Sequence, residues 1–153
     1  MKSFKQSIEI LNTILSYELV TTSQYIVHAG IYRNSGYKNL HNVTRKRAIK
    51  GMKHAEQLID RILFLEGTPD EETTNKINIG QTLEEQLTND YHMEKSVISI
   101  CNLCISFSLR RGDFETAELL LNILLENERH LAWLDSQLNN LKQLHLDNLL
   151  MVG

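Results

Sequence analysis

One proline, Pro69, and seven glycines in 153 residues leave this chain with long stretches that no breaker interrupts. Scarce Pro and Gly favour an all-helical chain. The first stretch, Phe4 to Arg33, sets Ile8, Leu11, Leu15, Leu19 and Ile26 at the three-and-four spacing of an amphipathic helix. Asn34-Ser35-Gly36 ends it, and so short a connection returns the next helix antiparallel. The second helix is expected over Asn39 to Leu65, stopped by Glu66-Gly67-Thr68-Pro69. Thr68 to Thr82 is the one long connection, with an acidic cluster and Asn78-Ile79-Gly80, and its length allows a crossover from one end of a bundle to the other. The third helix should run from Leu83 to Arg110, opened by a capping box of Thr82 and Glu85 and broken by Arg111-Gly112-Asp113. The fourth should run from Phe114 to about Leu141. Leu144 to Met151 is too apolar for a free terminus and is expected to form a short fifth helix that packs against other subunits. The fold class is therefore all-α: a four-helix bundle with a long crossover loop and a short C-terminal fifth helix.

Composition narrows the function classes. Hydrophobic residues make up 42% and charged residues 23%, ordinary for a chain that buries one core. A net charge of −3 provides no basic field for nucleic acid or a membrane surface. No N-terminal stretch has the apolar centre of a signal peptide, and no apolar run reaches the roughly 18 residues of a spanning helix, so a cytoplasmic protein is expected. Cys101 and Cys104 form a Cys-x-x-Cys inside a helix with no second pair, which makes them small core-filling residues rather than a zinc site.

The chemistry concentrates in two windows. Gly51-Met52-Lys53-His54 puts Gly51 and His54 on one helical face and Met52 on nearly the opposite one. Asn127-Glu128-Arg129-His130 repeats the His three residues after a small neutral side chain. Glu18 and Glu94 stand at the middle of the first and third helices. One carboxylate from each of two helices and an x-x-x-His window from each of the other two outline a di-metal site, in which the residue three before each His is Glu. Here those positions are Gly51 and Asn127. Among Arg45, Lys46, Arg47, Lys50 and Lys53, the lysines read as a solvated face, whereas Arg47 falls four residues before Gly51 and seven before His54, on the ligand face.

These residues resemble those of bacterioferritin over nearly the whole chain. The resemblance rests on Leu11-Asn12, Glu18-Leu19-Val20, Gln24-Tyr25, His28-Ala29, Met52-Lys53-His54-Ala55, Arg61-Ile62-Leu63-Phe64-Leu65-Glu66-Gly67, Asn78-Ile79-Gly80, Glu94, His130 and Trp133-Leu134. It implies a single ferritin-like domain over residues 1–153, built into a shell of twenty-four subunits that stores iron as a ferric mineral. By resemblance, Glu18, His54, Glu94 and His130 match ferroxidase metal ligands, and Met52 matches the ligand of a b-type haem shared by two subunits. The family's bridging glutamates fall at Gly51 and Asn127, and its internal iron-site His and Asp fall at Lys46 and Lys50.

Two ferrous ions held close together need bridging carboxylates to offset their repulsion. With both bridges missing, the expectation is an iron-storage subunit that keeps its haem site but has an impaired ferroxidase centre. Two Glu and two His would suffice for a single divalent ion. The alternative is a working ferroxidase that uses the remaining ligands with Glu126, one turn before His130, as substitute bridge. A DNA-protecting miniferritin fits less well, because the tail and the four-helix ligand positions argue against it. The expected partners are like subunits or a mixed shell with ferroxidase-competent bacterioferritin, and a small ferredoxin as reductant. Arg47 is expected to reach past Gly51 and pair with Glu18 or Glu94.

Overall fold

A computed structural model describes residues 4–70 and 76–152, apart from the side chain of Val152. Four helices follow one another: α1 (Lys5–Asn34), α2 (Lys38–Phe64), α3 (Leu83–Arg110) and α4 (Phe114–Val152). The first three begin and end within a residue of their expected limits. The α1–α2 and α3–α4 turns each close on a glycine with positive φ, Gly36 at 81° and Gly112 at 75°, a conformation that costs glycine little and other residues more. Thr82 caps α3 as read: its Oγ1 accepts the Glu85 N–H at 3.2 Å, and the Glu85 carboxylate accepts from the Thr82 and Gln81 N–H groups.

The long connection does cross over. Asn12, near the start of α1, accepts from the Asp70 N–H and donates to the Thr68 carbonyl. Sixteen residues later the Gly80 N–H donates to His28. The linker therefore climbs about 24 Å along α1 at 1.5 Å per residue. Glu71 and Glu72 of the acidic cluster lie outside the described residues.

The tail departs from expectation. It is helical, but α4 continues through it to Val152 without a break, so no separate fifth helix forms. Between Leu141 and Met151 there is no Gly, no Pro and no turn-forming pair to stop propagation. Leu144, Leu146, Leu149, Leu150 and Met151 all stay exposed.

α1 packs along α2 and α3 along α4, with thinner contact between α1 and α3 and between α2 and α4. The interior changes character part-way along. One half is apolar, built on Leu11, Ile14 and Leu15 of α1, Leu58 and Ile62 of α2, Val97 and Cys101 of α3, and Leu120 and Ile123 of α4. The other half buries Glu18, Tyr25, His28, Arg47, His54, Asp90, Glu94, Asn127 and His130. Cys101 and Cys104 are free thiols, and Cys101 is fully buried, its pKa pushed up to about 12 by burial. No helix among the described residues is long and apolar enough to cross a membrane.

Candidate metal centre, filled by an arginine

The polar half of the bundle forms at one level because each helix places its polar residues one turn apart on the inward face. α1 contributes Glu18, Thr22 and Tyr25; α2 contributes Arg47, Gly51 and His54; α3 contributes Glu94; α4 contributes Asn127 and His130. Glu18, His54, Glu94 and His130 all come inside, at 0%, 7%, 0% and 6% exposure.

Between them lies the Arg47 guanidinium. Its Nε donates to Glu94 Oε1 at 3.0 Å, and its Nη2 donates to Asn127 Oδ1 at 2.7 Å. Nη2 also stands 3.9 Å from Glu18 Oε2, and His54 Nδ1 lies 3.5 Å from the same oxygen. The guanidinium sits 5.3 Å from the centre of the Tyr25 ring, and the Tyr25 hydroxyl donates to Glu94 Oε1 at 2.6 Å. Among the described residues the Glu18 carboxylate accepts no hydrogen bond, so its charge is offset through space.

Gly51 explains how the arginine fits. A Cβ there would run into the Thr22 hydroxyl and stand 3.3 Å from Arg47 Nη1. The helix-interior glycine costs about 1 kcal/mol against Ala, and in return the α2 backbone can close on Thr22 and Arg47. The space is thus filled rather than empty. Asn127 supplies a neutral carbonyl where a carboxylate would bring a further charge.

Electrostatics follow from burial. Burial pushes Glu94 up to about 6, against the pull of Arg47 and the Tyr25 hydrogen bond. Arg47 is held more firmly protonated than a free arginine: Glu94 and Glu18 outweigh its burial. Burial keeps the His130 ring neutral well below its usual pKa, with Arg47 and Lys50 adding to the effect. Tyr25 is raised well above the usual phenol value by burial and by Glu94. Among the described residues no three His, Cys, Asp or Glu side chains come together as a metal-holding group. The donor set therefore does not fit a di-metal pair, and the remnant single-ion site of the sequence reading has the arginine's positive charge at its centre.

Glu126 does not take the bridging place. Its carboxylate accepts from Lys50 at 2.8 Å and from Arg129 at 3.0 Å, and the Lys50 hydrogen bond holds it below the usual carboxylate range. Lys46, Lys50 and Lys53 are exposed, as their spacing suggests.

Three participants were invisible in the sequence as site residues: Thr22, Tyr25 and Asp90. Asp90 is buried and accepts from Gln24 Nε2 at 2.8 Å and from His28 Nδ1 at 2.9 Å. Because the Gly80 N–H donates to His28 Nε2, the imidazole proton belongs on Nδ1, facing Asp90. Gln24 Oε1 in turn accepts from the Asn78 N–H. The Asn-Ile-Gly segment is thereby tied to α1 and α3. Only the pairing of Gln24 and His28, four residues apart on one helical face, hinted at this.

Met52 lies on the opposite face of α2, 44% exposed. A surface hollow of about 270 Å³ is lined there by Met52, Ile49, Ala48, Ile26, Ala29 and Gly30, with Arg33, Arg45 and His41 also in its lining. A Cβ at Gly30 would meet nothing within 4 Å, so the hollow is open at that point. Leu19 and Ile59 pack half-buried against the apolar core.

The model of the ferritin-like domain family matches residues 8–144. Bacterioferritin of Mycolicibacterium paratuberculosis is 32% identical over 147 residues, 96% of this chain and 92% of the relative. Bacterioferritin BfrA of Mycobacterium tuberculosis is 34% identical over 137 residues, 90% of this chain and 86% of the relative. The chain belongs to the bacterioferritins. A bacterial ferritin of Synechocystis is also 33% identical over 141 residues, 92% of this chain and 90% of that one. Within this bacterioferritin the four-helix level where a metal pair would be expected is held together by an internal ion pair.

Proposed function

We propose that the chain is an iron-storage subunit of a bacterioferritin shell that does not itself oxidise iron at a di-metal centre. The observation that carries this is the Arg47 guanidinium bonded to Glu94 and Asn127 and set beside Glu18. Divalent ions entering there would have to displace a fixed cation and would find two carboxylates where a pair needs more. The arginine sets one permanent positive charge against the two buried carboxylates, because it does not deprotonate in proteins. Such a subunit contributes walls and storage volume, and the mixed shell with ferroxidase-competent subunits is the assembly in which it is useful.

Haem binding at Met52 belongs to the same reading. The open, largely apolar hollow with arginines in its lining suits a flat apolar ring carrying two carboxylates, covered on its other face by a second copy. There Met52 would supply a soft neutral thioether, and the ring would supply electron transfer toward stored iron, with a small ferredoxin as reductant. Protein reconstituted with haem should show an absorbance typical of Met ligation that Met52→Leu removes while assembly persists. Unchanged spectra in Met52→Leu would remove haem from the proposal. Shells of this chain alone should load iron slowly, and shells mixed with a competent bacterioferritin should load it fast; equal rates in the two would remove the division of labour.

A further inference from the structure

A groove follows the seam between α2 and α4, with two hollows of about 210 Å³ and about 490 Å³ that share Lys50, Glu126 and Arg129. The smaller one concentrates positive charge in a chain whose net charge is −3. Lys46, Lys50 and Arg129 are exposed at its rim, and Arg47 and His130 form part of its lining. Both of these are more than nine-tenths buried, at 3% and 6% exposure. Each also has a buried nitrogen without a protein partner, Nη1 of Arg47 and Nε2 of His130. Arg47 Nη1 is a donor in every state, and a buried donor left unmatched is costly, which favours a ligand that brings acceptor oxygens. Among the described residues Glu126 is the one acidic side chain lining the hollow, and Lys50 and Arg129 already occupy its two oxygens. The volume lies below the roughly 300 Å³ at which pockets for drug-sized molecules begin, which suits a small ion.

We propose that this hollow binds a small oxyanion of the phosphate class, gripped by Lys46, Lys50 and Arg129 over a lining that includes Arg47 and His130. Arginine and lysine at close range give charge-assisted hydrogen bonds to such oxygens. The site does not depend on the iron-storage reading, and its test uses iron-free protein. The chain's single tryptophan, Trp133, lines the hollow and stacks on His130 with ring centres 5.2 Å apart, so it reports occupancy directly.

Inorganic phosphate titrated into iron-free shells should change Trp133 fluorescence saturably and release or absorb heat in calorimetry with the same midpoint. Sodium chloride at matched ionic strength should do neither. Lys46→Ala with Arg129→Ala, both exposed positions, should weaken binding by about tenfold or more. Glu126→Gln should tighten it, while Lys95→Ala, which removes a like charge on α3, should leave it unchanged. The site is overturned by no saturable signal from either method, or by equal loss of affinity from Lys95→Ala and from the rim variant. Binding of iron-loaded shells alone would assign the phosphate to the mineral surface and overturn it too.

Discussion

Removing the Arg47 guanidinium leaves Glu18 and Glu94 buried without a counter-charge. Breaking a buried ion pair costs about 3–5 kcal/mol, and Arg47→Met is expected to destabilise the subunit by roughly that much at neutral pH. Protonation offsets part of the loss. The folded pKa of Glu94, about 6, is raised above the ordinary carboxyl value of 4.5. Its contribution is therefore fully present below that lower value and is lost as pH rises through the higher one. Without Arg47 the folded pKa moves further up, so the variant's unfolding midpoint should recover more between about pH 8 and about pH 5 than the parent's does. An unchanged pH dependence would contradict the pairing. His130 acts with the opposite sign. Its folded pKa is depressed, so its contribution is present above the ordinary imidazole value and is lost as pH falls. His130→Gln should flatten the acid side of the stability curve, measured as unfolding midpoint against pH. Arg47 was legible because its spacing from Gly51 and His54 fixes its face. Thr22 and Tyr25 were not, since spacing on one helix does not say which residue of another helix it will meet.

Helix boundaries were readable wherever a chemical signal ended them: Gly36, Gly112 and the Thr82–Glu85 box act locally. The end of α4 carries no such signal, and an apolar tail was mistaken for a separate element when nothing divided it from the helix before it. Truncation after Leu141 removes residues 142–151, which are exposed in the single chain, so the bundle should keep its unfolding midpoint while light scattering shows loss of large assemblies. A lowered midpoint with assembly intact would show that the tail serves the bundle itself. The crossover was legible in length but not in attachment, because the Asp90 partners lie 62 and 66 residues away in the chain. Asp90→Ala should leave buried His28 and Gln24 donors unmatched and cost about 1–3 kcal/mol for each. Proteolysis should then cut the linker between Asp70 and Leu83 much faster than in the parent, which limited digestion would detect.

At the scale of the whole molecule, one bundle joins an apolar half that holds the helices together to a polar half in which buried Arg47 offsets part of the charge of Glu18, Glu94 and Asp90. Reintroducing a metal pair therefore needs more than the two lost glutamates. Gly51→Glu meets the Thr22 hydroxyl and lies against Arg47, so Thr22→Ala and Arg47→Ala must accompany Gly51→Glu and Asn127→Glu. That fourfold variant should bind cobalt(II) with visible absorbance where the parent does not, while the two glutamates added alone should fold poorly. The central claim is that Arg47 takes the place of a metal pair. It is tested most directly by stopped-flow oxidation of ferrous iron by dioxygen in the unmodified homopolymer, supplied with two ferrous ions per subunit. Oxidation close to the uncatalysed rate, with no fast phase, is expected; a fast phase that consumes two ferrous ions per subunit would contradict it.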